Sequence, residues 1–170
     1  MKTLLVMRHA KSSWKDPSLE DFDRPLNKRG KRAAPFMATF LKEQQLLPEF
    51  VCCSAAKRTR GTVKRLFREW PEPVKVSYHE ELYHAESEVI AEVLQTVPNH
   101  LTTIMVVGHN PGLEMFIDEL CGVDVRFPTA AVAEIALDLA KWGEFKLVPF
   151  GELKNLWLPR ELMGESAPLS

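Results

Sequence analysis

The sequence predicts a single three-layer α/β/α domain with a mostly parallel central sheet. Three short apolar runs rich in strand-forming residues, at residues 4–7, 50–53 and 103–107, alternate along the chain with segments of helical periodicity. Such runs are typical of strands buried on both faces of a parallel sheet. Alternation of strands and helices is what doubly wound folds require. The 170 residues suit one hydrophobic core, and no repeat or linker divides them.

Composition excludes several classes of protein. The 22 Lys and Arg residues against 23 Asp and Glu leave a formal net charge of −1. The strongly basic footprint of a nucleic-acid-binding protein is therefore missing, and any attraction for anions must be local. No apolar run approaches the roughly 20 residues that cross a bilayer, and no secretory signal pattern is visible. We expect a cytoplasmic protein without nucleic-acid or membrane partners, and we favour a monomer.

The three cysteines are odd in number, and two of them are adjacent. Cys52, Cys53 and Cys121 lie in apolar or helical contexts without the spacing of metal ligands. We interpret them as reduced core residues of a cytoplasmic protein, in preference to reactive thiols.

The elements of the first half follow from caps and periodicity. Asn27 is a good N-cap for a helix beginning near Lys28, because an apolar helical face follows. Pro35 must then either kink this helix or lie in its first turn. A second helix is expected over residues 55–70. Residues 74–77 alternate between prolines, which favours an edge strand.

In the second half, Ser87 is expected to cap one helix, and Asn110 to cap the next with Pro111 as its first residue. Residues 130–139 and 145–150 predict two further strands joined by a turn, which would add an antiparallel edge. The domain is expected to cover residues 1–154, and residues 155–170 to form an extended, peripheral tail.

Polar chemistry follows each of the buried strands. The first ends in Arg8-His9, the second in Ser54 with Arg58 just beyond, and the third in Gly108-His109. Ligands of α/β sheets gather at the carboxyl ends of strands. Arg58 also lies in the first turn of its helix, where a cation opposes the helix dipole. A functional reason for this cation is therefore preferred to a solvated helix start.

Two arginines and two histidines at one sheet edge suit a phosphoryl group. Arginine binds phosphate bidentately through its planar fork. A neutral imidazole can attack phosphorus, and the resulting phosphohistidine divides one difficult displacement into two. A metal site on His9 and His109 is disfavoured, because two guanidiniums would repel a cation and no carboxylate adjoins either histidine.

These motifs are similar to those of a known family. Arg8-His9-Ala10 resembles the R-H-G signature of the histidine phosphatase (phosphoglycerate-mutase-like) superfamily, residues 54–62 resemble its S-x-A-x-R-x-x-x-T helix start, and residues 108–111 its second-histidine motif. The extended stretches most resemble the short bacterial phosphohistidine phosphatases of the SixA type; they are residues 8–14, 23–30, 81–83 and 127–131. The resemblance runs from about residue 3 to residue 150. It implies a phosphoglycerate-mutase-like fold and a phosphatase that needs no cofactor.

The resemblance also implies roles for individual residues. His9 would be the nucleophile, and Arg8, Arg58 and His109 would stabilise the charge on the phosphoryl oxygens. The two arginines would also oppose protonation of His9 and so keep it nucleophilic. Further substrate-binding candidates are Ser12, Arg24 and Asn110.

One departure from the family pattern concerns the proton donor. Larger mutases and acid phosphatases carry a carboxylate after a leucine in the third loop, whereas this loop continues from Leu82 into Tyr83 and His84. Glu81, Glu86 or His84 are the possible substitutes. A leaving imidazole needs less help, because a phosphoramidate nitrogen can be protonated before the bond breaks. The missing acid is therefore consistent with phosphohistidine as the substrate.

Three functions follow from these observations. The first is hydrolysis of phosphohistidine on a protein partner, since the short connection between the Arg58 helix and the His109 strand leaves little room for a cap over the site. The second is a small-molecule phosphatase, or less readily a mutase, because an open site would lose the phosphoenzyme to water. The third is a non-catalytic phosphate-binding module, against which stands His9, since binding alone needs only arginines and backbone amides.

Overall fold

A six-stranded sheet organises the chain in the computed structural model, which describes residues 1–164. The strands are β1 (Lys2–Arg8), β2 (Phe50–Ser54), β3 (Lys75–His79), β4 (Thr103–Gly108), β5 (Val132–Leu137) and β6 (Gly151–Trp157). Their spatial order is β3-β2-β4-β1-β5-β6. The first four pair in parallel, and β5 and β6 join as antiparallel strands. The predicted parallel sheet with an antiparallel edge is confirmed.

Helices cover both faces of this sheet. They are α1 (Lys28–Glu43), α2 (Lys57–Glu69), α3 (Ser87–Leu94), α4 (Gly112–Cys121) and the short α5 (Pro159–Leu162). Successive strand residues point to opposite faces, so Leu5 and Met7 of β1 pack with the α1 and α2 side, whereas Leu4 and Val6 pack with the α3 and α4 side. The three-layer prediction is confirmed. Within residues 1–164, no helix has the length and apolar character needed to cross a bilayer.

The start of α1 is fixed against the loop that follows β1. Asn27 caps the helix as predicted, because its side chain accepts a hydrogen bond from the Gly30 backbone N–H at 2.9 Å. A Cβ on Gly30 would lie 2.2 Å from the Lys11 carbonyl oxygen, so glycine permits this close approach. Pro35 lies inside the helix, beyond its first turn.

Two predicted caps are wrong. Ser87 is the first residue of α3, and its hydroxyl donates to the Glu119 carboxylate at 3.1 Å instead of capping the helix. Asn110 does not cap α4, because Pro111 occupies the N-cap position and the Asn110 side-chain amide donates to the Phe127 carbonyl at 2.7 Å. Tertiary partners have taken both polar side chains away from their helix ends.

The last strand lies further along the chain than predicted. Residues 145–150 are not a strand: Phe145 inserts into the core, and Pro149 cannot donate to a ladder. Residues 155–157 are not an extended tail, since they complete β6, and α5 follows and contacts α1. The boundary drawn after residue 154 therefore falls inside β6, and residues 165–170 of the predicted tail lie outside the described residues.

The cysteines have no disulfide partners in the described part of the chain. Cys52 and Cys53 are fully buried, as predicted for core residues, and Cys121 is half-buried. Burial raises the pKa of Cys52 to about 12 and that of Cys121 to about 11. These thiols therefore stay protonated near neutral pH.

Candidate active site

The carboxyl ends of β1, β2 and β4 converge on one small cavity. Arg8 on β1 is in register with Gly108 on β4, which brings the residues that follow each strand side by side. The cavity has a volume of about 170 Å³ and is lined by Arg8, His9, Lys11, Ser12, Trp14, Arg24, Arg58, His109, Asn110 and Thr129. The structure thus brings together the four residues expected to be catalytic and the three expected to bind substrate.

His9 is held in one tautomer. Its Nδ1 lies 2.7 Å from the Ala10 carbonyl oxygen. Because a carbonyl can only accept, Nδ1 carries the proton and Nε2 keeps its lone pair. The Arg58 Nε lies 3.4 Å from this Nε2. The lone pair of Nε2 therefore accepts a long hydrogen bond from the Arg58 guanidinium, and no proton occupies it.

The surroundings of His9 keep its ring neutral. Burial lowers its pKa to about 3, and the charges of Arg58, Arg8 and Arg24 act in the same direction, whereas the bond to Ala10 opposes them. His9 is 5% exposed, so its charged form would lack water. An unprotonated imidazole at neutral pH is what nucleophilic attack requires.

Asp21 holds the Arg58 side chain in place through two hydrogen bonds. The Arg58 side chain is buried, and its Nη1 donates to the Asp21 carbonyl at 2.7 Å, while its Nη2 donates to the Asp21 carboxylate at 3.0 Å. Arg8 donates from Nη1 to the Phe127 carbonyl at 3.3 Å, and its buried Nε has no hydrogen-bond partner within residues 1–164. Both guanidiniums are thus positioned before any substrate arrives.

The His109 ring faces the His9 ring, but His109 is hydrogen-bonded through Nε2, whereas His9 is hydrogen-bonded to the backbone through Nδ1. The ring centroids are 5.2 Å apart, and His109 Nε2 is hydrogen-bonded to the Ser54 hydroxyl at 2.7 Å. Its buried Nδ1 has no partner in the described chain. Burial, together with His9 and Arg58, lowers the pKa of His109 to about 2. A neutral His109 with one unsatisfied nitrogen is suited to hydrogen-bond a phosphoryl oxygen.

The loop after β1 supplies the remaining polar groups. Arg24 is buried, donates to the Ser12 hydroxyl at 2.7 Å and to the Asp21 carboxylate at 2.9 Å, and lies 3.2 Å from the centre of the Trp14 ring. The Asp21 carboxylate therefore forms ion pairs with both Arg24 and Arg58. Ser12 and Arg24 line the same cavity as the residues predicted to be catalytic.

Sequence reasoning missed Asp21 and Tyr83. The Tyr83 hydroxyl donates a short hydrogen bond to the Asp21 carboxylate, and its ring lies edge-on to His109, 5.4 Å between centroids. Burial acts to raise the pKa of Asp21, but hydrogen bonds from Tyr83, Arg24 and Arg58 outweigh it and hold that pKa well below the usual range. The only signal in the sequence was a pair of aspartates in a loop, which cannot show that one of them reaches the site.

The structure separates the proton-donor candidates. Glu81 is exposed and its carboxylate is hydrogen-bonded to His79 at 3.0 Å, and Glu86 is exposed at the start of α3; neither lines the cavity. The structure therefore does not bring either carboxylate to the cavity, and their role as proton donors stays a prediction. A hydrogen bond to its own backbone and another to His79 also lower the pKa of Glu81.

His84 remains at the rim of the site. Its side chain is 58% exposed, and its Nε2 lies 3.5 Å from the Asp21 carboxylate. The ring lies against Tyr83, 4.0 Å between centroids, and 6.0 Å from the ring of His109. His84 is thus the one proton-donor candidate that the structure brings near the cavity.

The donor set suits an anion. Three buried or half-buried guanidiniums face the cavity, and the nearest carboxylate, that of Asp21, is committed to two of them. Within residues 1–164, no three His, Cys, Asp or Glu side chains come together as a metal site would require. The arrangement can bind a phosphoryl group and present a nucleophilic nitrogen to it.

Comparisons with known proteins agree with this chemistry. The family model of the histidine phosphatase superfamily (branch 1) matches residues 4–84. An uncharacterized chloroplastic protein of Arabidopsis thaliana is 33% identical over 152 residues, covering 84% of this chain and 70% of that protein. The crystal structure of a candidate SixA phosphohistidine phosphatase from Agrobacterium tumefaciens is 27% identical, with TM-score 0.79 over 93% of this chain and 98% of that one. The alpha-ribazole phosphatase from Shigella flexneri is 18% identical and shares the fold, with TM-score 0.65 over 92% and 96%.

Proposed function

The chain belongs to the histidine phosphatase superfamily, and we propose that it hydrolyses phosphohistidine on a protein partner through a phosphoenzyme intermediate at His9. The observation that carries the proposal is the tautomer of His9. Its Nδ1 proton is bound to the Ala10 carbonyl, and the pKa of the ring is lowered to about 3, so Nε2 carries no proton at the cavity. Its lone pair accepts a long hydrogen bond of 3.4 Å from Arg58 Nε, which a phosphoryl oxygen would take over when the substrate binds.

The proposed reaction has two displacements. In the first, the Nε2 lone pair of His9 forms a bond to phosphorus while the bond between phosphorus and the substrate imidazole breaks, with entering and leaving nitrogens in line. Arg8, Arg58 and His109 stabilise the oxygens of the transferring group. In the second, water attacks phosphorus, the bond to His9 breaks, and inorganic phosphate leaves with the water oxygen. His9 is then neutral again.

Phosphohistidine is favoured because, among residues 1–164, no protonated carboxyl group lines the cavity. Asp21 is ionised, since its pKa lies well below the usual range, and Glu81 and Glu86 lie away from the cavity. A phosphate ester needs an acid to protonate its leaving oxygen. A phosphoramidate takes a proton on nitrogen before the bond breaks, so an imidazole leaves without such an acid.

A protein partner is favoured by the open rim. Trp14 is 74% exposed beside the cavity, and the side chain of His84 is 58% exposed on the other side of Asp21. Exposed aromatic groups around a small polar cavity suit contact with a second protein surface. Localisation in the cytoplasm and a monomeric state stay predictions, and a role in signal transduction is part of this proposal, because phosphohistidine on a protein is a signalling modification.

A small-molecule phosphatase is the second candidate. The shared fold of the alpha-ribazole phosphatase favours it, and His84 near the cavity supplies a group that can carry a proton to an ester oxygen. A non-catalytic phosphate-binding module is disfavoured, because binding alone would not require the fixed tautomer of His9.

The test is a paired assay of wild type and His9→Ala on a phosphohistidine-containing protein domain and on p-nitrophenyl phosphate. We expect wild type to turn over the phosphohistidine domain faster than the ester, and His9→Ala to lose both activities. Rapid quenching should trap an acid-labile, base-stable phosphoryl label on wild type. Fast ester hydrolysis with an untouched phosphohistidine domain would favour the small-molecule function, and undiminished activity in His9→Ala would exclude the covalent mechanism.

A further inference from the structure

Ser54, the last residue of β2, contacts the ring of His109 without lining the catalytic cavity. Its side chain is completely buried, and its Oγ lies 2.7 Å from His109 Nε2. Within residues 1–164, this hydroxyl is the one hydrogen-bond partner of the two ring nitrogens of His109. The proposed reaction assigns no role to Ser54.

The backbone holds Ser54 in place beside His109. The residue before Ser54 is in register with Val107 on β4, the strand that leads into His109. The Ser54 carbonyl accepts a hydrogen bond from the Thr59 hydroxyl at 2.8 Å, which ties the end of β2 to the first turn of α2. The position of the hydroxyl is therefore set before any substrate arrives.

The other hydrogen bond of the Ser54 hydroxyl decides which group donates to which. A serine hydroxyl has one proton to donate and two lone pairs. One lone pair accepts from the Ala56 backbone N–H at 3.3 Å. If His109 Nε2 also donated to this oxygen, the hydroxyl proton would have no acceptor within residues 1–164, and an unsatisfied buried donor is unfavourable. The hydroxyl proton is satisfied only when Ser54 donates to His109 Nε2.

This donation determines where the proton of the His109 ring lies. The ring is neutral near neutral pH, because burial together with His9 and Arg58 lowers its pKa to about 2. A neutral imidazole carries one proton, so a ring that accepts at Nε2 holds that proton on Nδ1. This Nδ1 is buried without a partner in the described chain, on a residue that lines the catalytic cavity. An N–H at Nδ1 can donate to an oxyanion, whereas a lone pair would repel it.

We infer that Ser54 is a positioning residue: its hydroxyl donates to His109 Nε2 and keeps the ring proton on Nδ1, from which His109 donates to a phosphoryl oxygen. The inference rests on the proposed function, because it takes a phosphoryl group to be the ligand of the catalytic cavity. Ser54 itself does not touch the substrate, and no proton is transferred. The tautomer of His9 depends on a backbone carbonyl, whereas the tautomer of His109 depends on one replaceable side chain.

The test measures the tautomer by nitrogen NMR of isotope-labelled protein near neutral pH, with the His109 signals assigned by their absence from His109→Ala. In wild type we expect Nδ1 to have the chemical shift of a protonated nitrogen and Nε2 that of an unprotonated one. In Ser54→Ala we expect the proton to redistribute towards Nε2, the tautomer that a histidine side chain prefers in water. The matched control is Ser87→Ala, which removes another buried hydroxyl, bonded to Glu119, and should leave the His109 shifts unchanged.

Turnover supplies a second readout, on whichever of p-nitrophenyl phosphate and the phosphohistidine domain wild type hydrolyses faster. Ser54→Ala should lower kcat by about tenfold, which is part of the effect of losing a whole oxyanion donor. KM should change by less than about twofold, because the hydrogen bond acts on charge that develops in the transition state. In the His109→Ala background, Ser54→Ala should cost less than about twofold, since no ring is left to position. A merely structural role would lower kcat equally in both backgrounds.

Several results would overturn the inference. They are a proton on Nε2 in wild type, an unchanged tautomer or an unchanged kcat in Ser54→Ala, and equal losses of kcat with and without His109. The wild-type spectrum decides the matter even if Ser54→Ala does not fold.

The outcomes also separate this inference from the proposed function. If phosphohistidine is untouched while ester hydrolysis and the tautomer both respond to Ser54→Ala as expected, the proposed substrate is wrong and the role of Ser54 stands. If wild type hydrolyses phosphohistidine but His109 carries its proton on Nε2, the proposed function stands and the role of Ser54 is wrong.

Discussion

The ends of β1 and β4 each present a buried histidine, and the two histidines are held in opposite ways. His9 is bound through Nδ1 to the Ala10 carbonyl, which leaves its lone pair on Nε2, where it accepts from Arg58 Nε at 3.4 Å. His109 is bound through Nε2 to the Ser54 hydroxyl, which leaves Nδ1 without a partner. Burial lowers the pKa of both, to about 3 and about 2. In the proposed reaction, two similar strand ends therefore supply a nucleophile and a charge-stabilising group, and the hydrogen bonds of each ring are consistent with its proposed role.

The largest expected effect comes from removing each histidine in turn. His9→Ala should lower turnover by about ten-thousand-fold or more, because the covalent step is lost. His109→Ala should lower it by about a hundredfold to a thousandfold, because one stabilising hydrogen bond is lost. Rapid quenching with a labelled phosphohistidine domain distinguishes the two, since only His109→Ala should still accumulate label. Label on His9→Ala would reverse the roles given to the two rings.

Arg58→Lys tests the guanidinium that donates to His9 Nε2. Lysine cannot bind Asp21 through two donors and also approach His9 Nε2, as the guanidinium does. We expect about a hundredfold loss in kcat/KM for p-nitrophenyl phosphate. Arg68→Lys, at the exposed end of α2, is the control and should retain wild-type turnover. A loss of similar size in both variants would contradict a specific role for the Arg58 fork.

The pH dependence of the free energy of unfolding tests whether the His9 ring is buried in its neutral form. The folded pKa of His9, about 3, lies below the ordinary value of 6.5, so at intermediate pH the unfolded chain binds more protons and stability falls as the pH falls. His9→Asn should therefore reduce the slope of unfolding free energy against pH, between about pH 4 and 6, by about 1.4 kcal/mol per pH unit. Urea denaturation at several pH values measures this slope.

The control for that experiment is His100→Asn, which replaces an exposed histidine outside the cavity. An equal change of slope in His100→Asn would mean that burial of His9 is not the cause. A slope in His9→Asn identical to that of wild type would mean that His9 takes up its proton in the folded state.

The smallest expected effect belongs to Tyr83→Phe. The ring would still lie against His109, and Asp21 would still bind both Arg24 and Arg58, so only the hydroxyl donor to Asp21 is lost. We expect about a fivefold fall in kcat/KM, the size of one hydrogen bond to a charged group. Tyr78→Phe on the edge strand is the matched control. A loss as large as that of Arg58→Lys would show that Tyr83 contacts the substrate itself.

The convergence of the residues predicted to be catalytic could be foreseen because most of them follow buried strands directly. Arg8, His9 and His109 lie within one or two residues of a strand end, so an apolar run and the parallel topology suffice to bring them together. Arg58 was predictable because a cation in the first turn of a helix is unfavourable without a ligand.

The remaining features depend on contacts distant in sequence. Asp21 meets Arg58 and Tyr83 across 37 and 62 residues, and nothing local marks it. Ser87 has good capping chemistry that a tertiary partner, Glu119, takes instead. The apolar run at residues 145–150 has strand-like composition, and only its packing shows that Phe145 belongs to the core and that the strand begins at Gly151.

The position of β1 has a consequence for the durability of the site. This strand pairs with β4 on one side and β5 on the other, and residues 4–7 are completely buried. Backbone amides in such a strand exchange with solvent only when the whole domain unfolds. We therefore expect His9, which follows β1 directly, to be attached to one of the slowest-exchanging segments, whereas Trp14 and His84 lie on exposed loops. As the denaturant concentration rises, we expect activity on a protein substrate to be lost first, because the exposed loops unfold before β1. Activity on the smallest phosphorylated substrate should be lost last.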